Sequence, residues 1–98
     1  MKAYRGGRSL DGAVVTADGQ PLSPRYDLKR LSATGFEWTY EGAGPAQLAL
    51  ALLADHLGDD AQALALYEPF MQRVVAELDN SWELSSADIE AALAELKA

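Results

Sequence analysis

The stretch from Pro45 to Leu57 constrains the fold more than any other part of this chain, because it predicts a helix that is apolar on almost every side. Pro45 suits the first helical position, where its missing N–H needs no partner, and Gly58 suits a left-handed cap at the other end. Three polar side chains mark a solvent edge on this helix, namely Gln47, Asp55 and His56. We therefore expect this to be the central buried helix, with the rest of the chain packed around it.

The first third of the chain has the composition of short strands joined by turns. Lys2 to Arg5 is predicted to be a strand that is broken at Gly6-Gly7. Val14 to Ala17 is rich in β-branched residues and precedes Asp18-Gly19, two residues that tolerate the positive φ of a tight hairpin turn. Prolines cannot donate to a sheet ladder, so the two prolines in residues 20–33 predict an irregular arm there.

Residues 36–41 alternate aromatic with polar side chains, which is the pattern of a strand with one buried face. Phe36, Trp38 and Tyr40 should then point the same way and pack on the central helix. The alternative is that the three rings form a stacking platform of the kind used by single-strand nucleic-acid binders.

Two further helices are predicted after Gly58. Asp59 or Asp60 can cap the first of them, and Pro69 predicts a bend or a restart near residues 67–70. The apolar stripe of this helix is expected to comprise Leu64, Tyr67, Met71, Val74, Val75 and Leu78.

The last part of the chain predicts an edge strand and a helix. Ser81 to Leu84 is short enough for an edge strand, and Ser85 to Asp88 resembles a capping box that begins a helix from Ser86 to Leu96. Together these elements predict an α+β fold, in which a small, mainly antiparallel sheet is covered on one face by three helices. The whole chain, residues 1–98, is expected to be a single domain.

Charge is unevenly distributed along the chain, which has a formal net charge of -7. Residues 1–30 contain six basic and three acidic residues, whereas residues 31–98 contain two basic and twelve acidic residues. Such a surface repels phosphate backbones, so direct nucleic-acid binding is not expected and a protein with a basic surface is the natural partner.

The 98 residues include no cysteine, which excludes disulfides, thiolate metal sites and a thiol nucleophile. The longest apolar stretch, Leu48 to Ala54, is far shorter than the about 20 residues that a bilayer requires. We expect a soluble, cytoplasmic protein with no cofactor, no bound metal and no membrane contact.

Residues 34–38, then Tyr40, then residues 42–55 carry the motif Thr-Gly-Phe-Glu-Trp followed by Gly-Ala-Gly-Pro-Ala-Gln-Leu-Ala-Leu. This combination resembles an uncharacterised family of small bacterial, archaeal and phage proteins, a domain of unknown function. The resemblance extends over about residues 4–78 and implies a shared fold, but it brings no catalytic residue with it. The chain departs from the expected pattern at Thr39, where a small residue is expected, and at Pro69, where a helix-compatible residue is expected.

Three short motifs invite functional hypotheses, each with a structural alternative. His56 could form a metal or acid–base site with the nearby aspartates, although Gly58 and helix capping separate these groups. The Gly42-Ala43-Gly44 turn precedes a helix N-terminus and could hold an anion, although turn geometry alone accounts for its glycines. Arg5-Gly6-Gly7-Arg8 resembles a single copy of an RNA-binding tract, which normally works by repetition.

The acidic C-terminal third supports the leading functional hypothesis. Trp82 is predicted to be an exposed anchor, and the predicted partner-binding residues are Trp82, Glu83, Asp88, Glu90 and Glu95. A solvated helical surface is the simpler interpretation of these acids, but acidic stripes can also imitate a nucleic-acid backbone. The hypothesis is a non-enzymatic protein-binding module, in its most specific form an anti-CRISPR-like inhibitor from a phage or mobile element that blocks a nucleic-acid-binding host complex.

Two alternatives remain open. One is a small enzyme or ligand-binding domain built around His56 and the Gly42-Ala43-Gly44 turn. The other is self-association, in which the basic N-terminal part of one copy meets the acidic part of another, so that the chain is a monomer or a weak homodimer.

Overall fold

The computed structural model describes residues 2–10 and 12–97, which form an antiparallel sheet and three helices. The strands are β1 Ala3–Ser9, β2 Gly12–Ala17, β3 Gln20–Pro21 and β4 Trp82–Ser85. The helices are α1 Ala43–Leu57, α2 Asp60–Arg73 and α3 Ser86–Lys97, and a short 3-10 turn spans Val75–Glu77. The predicted α+β fold is confirmed. No helix in the described residues is long and apolar enough to cross a membrane.

The sheet has the strand order β3-β2-β1-β4. The Asp18-Gly19 turn joins β2 to β3 with φ values of 49° and 82°, as the hairpin prediction requires. Side chains alternate between the two faces of a strand, so Tyr4 and Arg8 of β1 share the inner face with Val15 and Trp82. β4 lies at the edge of the sheet, which confirms the expected edge strand.

The prediction that Gly6-Gly7 breaks the first strand is wrong, because β1 continues through both glycines to Ser9. Gly6 lies opposite Trp82 in the sheet, and a Cβ on Gly6 would overlap the Trp82 indole ring. The glycine therefore makes room for a large ring on the inner face of the sheet instead of ending the strand.

Helix α1 is the central element, and its residues 44–54 are all buried. It begins at Ala43, two residues before the predicted start, so Pro45 is the third helical residue and still lies in the first turn, where N–H groups have no helical partner. Gly58 caps the helix in the predicted left-handed conformation, with a φ of 62°. Gln47 does not lie at a solvent edge, as its side chain is 0% exposed.

Gln47 is buried because the irregular arm covers it. We call residues 23–34 the strap. The Gln47 Oε1 atom accepts hydrogen bonds from the N–H groups of Leu31 and Ser32, and its Nε2 atom donates to the carbonyls of Pro24 and Lys29. All four bonds join one side chain of α1 to the backbone of the strap, so a polar residue is satisfied in the core.

Residues 36–41 do not form the predicted strand. Trp38 is fully buried, whereas the Tyr40 ring is 50% exposed, so the rings do not share one face. The reason is Thr39, whose φ of 82° is left-handed and interrupts the extended backbone between the two rings. The core interpretation of these rings is therefore right for Trp38 and wrong for Tyr40.

Helix α2 begins as predicted, with Asp59 accepting a hydrogen bond from the N–H of Gln62 as its N-cap. The helix continues through Pro69 to Arg73, so it does not restart there, and the alternative of a bend at Pro69 stays a prediction. Its buried residues are Ala63, Phe70 and Met71. The predicted stripe is therefore misplaced at its start, where Leu64 is exposed, and it runs past the actual end of the helix.

The capping box of α3 is confirmed by a reciprocal pair of hydrogen bonds. The Ser85 N–H donates to Asp88 Oδ2 at 2.9 Å, and the Asp88 N–H donates to Ser85 Oγ at 3.1 Å. Ile89 and Leu93 are the buried residues of α3.

Candidate functional site

Three of the four predicted partner-binding acids already have partners inside the chain. Glu83 forms an ion pair with Arg5 on the outer face of the sheet at 2.6 Å, and Asp88 completes the capping box. Glu90 Oε2 lies 3.0 Å from His56 Nε2. Glu95 is exposed and has no such contact in the described residues. Their role in binding a partner stays a prediction.

The expectation that Trp82 is exposed is wrong. Its side chain is 8% exposed, and its ring meets the Trp38 ring edge to face, with the centroids 5.8 Å apart. The sequence pattern misleads here because Trp82 faces the core from an edge strand whose alternate residue, Glu83, faces solvent.

His56 and Asp55 belong to separate polar contacts near the end of α1. Asp55 Oδ2 accepts hydrogen bonds from Tyr4 Oη at 2.7 Å and Lys2 Nζ at 2.9 Å. Burial raises the pKa of the Asp55 carboxyl, but the hydrogen bonds from Lys2 and Tyr4 outweigh burial and the net pKa lies below the ordinary value. Burial, and then the bond to Asp55, raises the pKa of the Tyr4 phenol.

The other sequence motifs also have structural roles. Gly44 packs closely against Glu37, and a Cβ on Gly44 would lie 2.7 Å from the Glu37 Cβ. The position therefore requires a residue without a side chain. Arg8 lies 4.5 Å from the centroid of the Trp38 ring and donates to Glu37 Oε1 at 2.6 Å, so the second arginine of the Arg5-Gly6-Gly7-Arg8 motif is engaged in the fold. No pocket is found in residues 2–10 and 12–97, and these residues include no group of three or more His, Asp or Glu side chains that could hold a metal ion.

A different acidic surface emerges where the loop before α1 meets the end of α2. The Thr39 N–H donates to the Val75 carbonyl at 3.2 Å, and Trp38 Nε1 donates to the Asn80 carbonyl at 3.1 Å. These two bonds hold residues 38–41 beside residues 75–80. The exposed residues of these two hydrogen-bonded segments include Tyr40, Glu41, Glu77 and Asp79, which we call the Tyr40 surface.

The three carboxylates of the Tyr40 surface differ from most of the predicted partner-binding acids in having no partner within the protein. In the part of the chain that the structure describes, none of them has a hydrogen bond or an ion pair. Their charges are therefore not neutralised by neighbouring cations, in contrast to those of Glu83 and Asp27, which pair with arginines. Arg8 of β1 donates to Asn80 Oδ1 at 2.7 Å, so the segment that carries Glu77 and Asp79 is also bonded to the sheet.

Sequence reasoning missed Tyr40 as a surface residue because the period of two assigned it to the core, and it included Glu41 in no predicted site. The signal that could have found them is Thr39, since the motif is expected to have a small residue there and the structure has a left-handed φ at that position.

The comparisons with known proteins add a family and no activity. Neither the search of curated proteins nor the search of solved structures found a match. A protein-family model described as a family of unknown function (DUF6166) matches residues 4–95, which is most of the chain. The chain therefore belongs to the family of unknown function DUF6166.

Proposed function

We propose that this protein is a non-enzymatic module that binds a protein with a basic surface through the Tyr40 surface. The observation that carries the proposal is that two hydrogen-bonded segments together carry an exposed aromatic ring and three exposed carboxylates that have no partner in the described residues. The net charge of -7 strengthens the attraction of a basic partner at long range.

Free carboxylates favour this surface over the acids of β4 and α3. A partner cation that approached Glu83 would compete with Arg5, and one that approached Asp88 would weaken the capping box. Glu41, Glu77 and Asp79 can each accept a hydrogen bond from a lysine or an arginine without losing an existing contact.

Tyr40 supplies the apolar part of such a contact. A tyrosine ring buries a large area with little loss of rotamer freedom, and tyrosines are common at the energetic centres of interfaces. The left-handed Thr39 turns the neighbouring ring away from the core, and strained backbone of this kind often occurs at functional sites.

The most specific form of the proposal is an inhibitor encoded by a phage or a mobile element, which would imitate nucleic acid and occupy a basic groove of a host complex. In that case the partner binds nucleic acid, and an oligonucleotide competes with this protein for it.

Capture from host lysate, after nuclease treatment, tests the proposal at about 0.1 M and about 0.5 M salt. The wild type should retain a specific protein at low salt and lose most of it at high salt. The double variant Glu77→Gln/Asp79→Asn should weaken that binding, and Tyr40→Ser should weaken it further. The same purified partner should be released by an oligonucleotide if the protein is a nucleic-acid mimic.

The matched control is Asp27→Asn/Glu68→Gln, which changes the net charge by the same amount at two exposed acids that belong to neither acidic set. Equal weakening by both double variants would show that only net charge matters and would refute the Tyr40 surface. If Glu83→Gln abolishes binding and the Glu77 and Asp79 substitutions do not, the partner binds to the acids of β4 and α3 instead. If the wild type retains no protein at either salt concentration, the proposal that this protein is a protein-binding module is wrong.

A further inference from the structure

The strap, residues 23–34, is attached to the rest of the protein without backbone ladders. In the described residues, no backbone-to-backbone hydrogen bond joins the strap to any other segment. Its own backbone bonds are internal, from the N–H groups of Leu28 and Lys29 to the Arg25 carbonyl. Most buried backbone groups are satisfied within helices and sheets, so this segment depends on side chains to a degree that the rest of the fold does not.

Gln47 provides the main polar attachment. Its side chain makes four hydrogen bonds to strap backbone atoms, of which the shortest are 2.6 Å to the Pro24 carbonyl and 2.7 Å from the Leu31 N–H. The bond to the Ser32 N–H is buried, since Gln47 is fully buried and Ser32 is 4% exposed, whereas the other three bonds are part-buried. One side chain of α1 therefore holds both ends of the strap.

The remaining attachments are weaker. Arg25 bridges Asp27 and Asp60, but both carboxylates are at least half exposed, and exposed ion pairs contribute little. Lys29 Nζ lies 5.7 Å from the centroid of the Tyr67 ring. Leu28 and Leu31 are only partly buried against the core.

We propose that the strap is a lid on α1 that opens as a unit while the helices and the sheet stay folded, and that Gln47 is its latch. Opening breaks one cluster of side-chain bonds and leaves every backbone ladder intact. It uncovers a part of α1 that has an apolar surface on all sides, and it releases the Lys29 cation from the Tyr67 ring of α2. This inference is independent of the Tyr40 surface, which lies outside the strap.

Native-state hydrogen exchange on the whole protein, read residue by residue by NMR, tests the lid. In the wild type, the amides of Leu28, Leu31 and Ser32 should exchange at least about 100-fold faster than those of Leu50 and Leu52 in α1, after correction for intrinsic rates. Their exchange should also depend less steeply on urea, because opening the lid exposes little surface.

The variant Gln47→Met keeps the size of the side chain and removes its hydrogen bonds. It should accelerate exchange at all three strap amides by about 10- to 100-fold relative to the α1 amides. Leu28 is the informative probe, because its N–H bonds to Arg25 and not to Gln47. The control Ile89→Val lowers stability in α3 and should accelerate the α1 amides without changing the strap amides.

Two results would refute the proposal that the strap is a lid. The first is a wild type in which the strap and α1 amides share one opening free energy and one urea slope, because the strap would then open only by global unfolding. The second is a Gln47→Met variant in which Leu31 and Ser32 accelerate but Leu28 does not, because Gln47 would then protect only its own partners. The wild-type comparison stands even if the variant does not fold.

Discussion

Thr39 is a β-branched residue with a φ of 82°, a conformation that L-residues other than glycine rarely adopt. Its side chain is exposed, and its N–H bond to the Val75 carbonyl uses only backbone atoms. Thr39→Gly should therefore remove the strain and keep the contact, which makes the substitution stabilising.

The expected magnitude follows from two opposing contributions. The left-handed conformation costs an L-residue about 1–2 kcal/mol, and glycine at this position avoids that cost. Glycine also makes the unfolded chain more flexible, which destabilises the folded state by about 0.5–1 kcal/mol. The difference predicts that Thr39→Gly stabilises the protein by about 0.5–1 kcal/mol.

Urea unfolding, followed by tryptophan fluorescence, measures this difference, because Trp38 and Trp82 are both buried. The midpoint should rise by about 0.5 M with an unchanged slope. The control is Thr34→Gly, an exposed threonine without positive φ, which should lower stability by about 0.5–1 kcal/mol. If both variants lose the same stability, the strain argument is refuted.

Two further predictions concern the sheet and its contact with α1. Gly6→Ala should destabilise the protein by about 3 kcal/mol or more, because the new methyl group overlaps the Trp82 ring. A methyl group at Gly7 would have no neighbour nearer than 3.8 Å, so Gly7→Ala is the control. Equal losses of thermal stability in the two variants would contradict this prediction. Tyr4→Phe should cost about 1–2 kcal/mol at pH 7 by removing the bond to Asp55. The pKa of Asp55 is lowered in the folded protein, so its contribution to stability is present above its ordinary pKa of 3.8 and is lost as the pH falls through the folded value. The unfolding free energies of the wild type and of Tyr4→Phe should therefore converge in acid. A difference that grows in acid would refute this reasoning.

The elements that the sequence predicted correctly are those set by local chemistry. The Asp18-Gly19 turn, the Gly58 cap and the capping box of α3 each depend on residues within a few positions of one another. The apolar composition of α1 likewise identified the central helix, because no other arrangement would bury all of its sides.

The errors arise where a distant residue decides the local structure. Gly6 does not break β1 because it faces Trp82, which is far away in sequence. Gln47 is buried because the strap supplies four partners, and a single polar residue on an apolar helix carries no sign of them.

For the candidate surface, the sequence predicts only the sign of the charge. The excess of acids in residues 31–98 predicts a negative surface, but sequence alone does not show which carboxylates are paired. Arg5 reaches Glu83 only because β1 and β4 are neighbours in the sheet. Tyr40 escaped notice because one left-handed residue reverses the alternation on which its burial was predicted.

The position of β1 between β2 and β4 has a consequence for the order in which the molecule can assemble. Ala3 pairs with Ser85, so β1 completes its hydrogen bonds only after β4 has been synthesised. Until then the β1–β2 hairpin has an open edge and α1 lacks part of its cover. Such long-range pairing slows folding, and it implies that the sheet reaches its native strand order only after α1 and α2 have been synthesised.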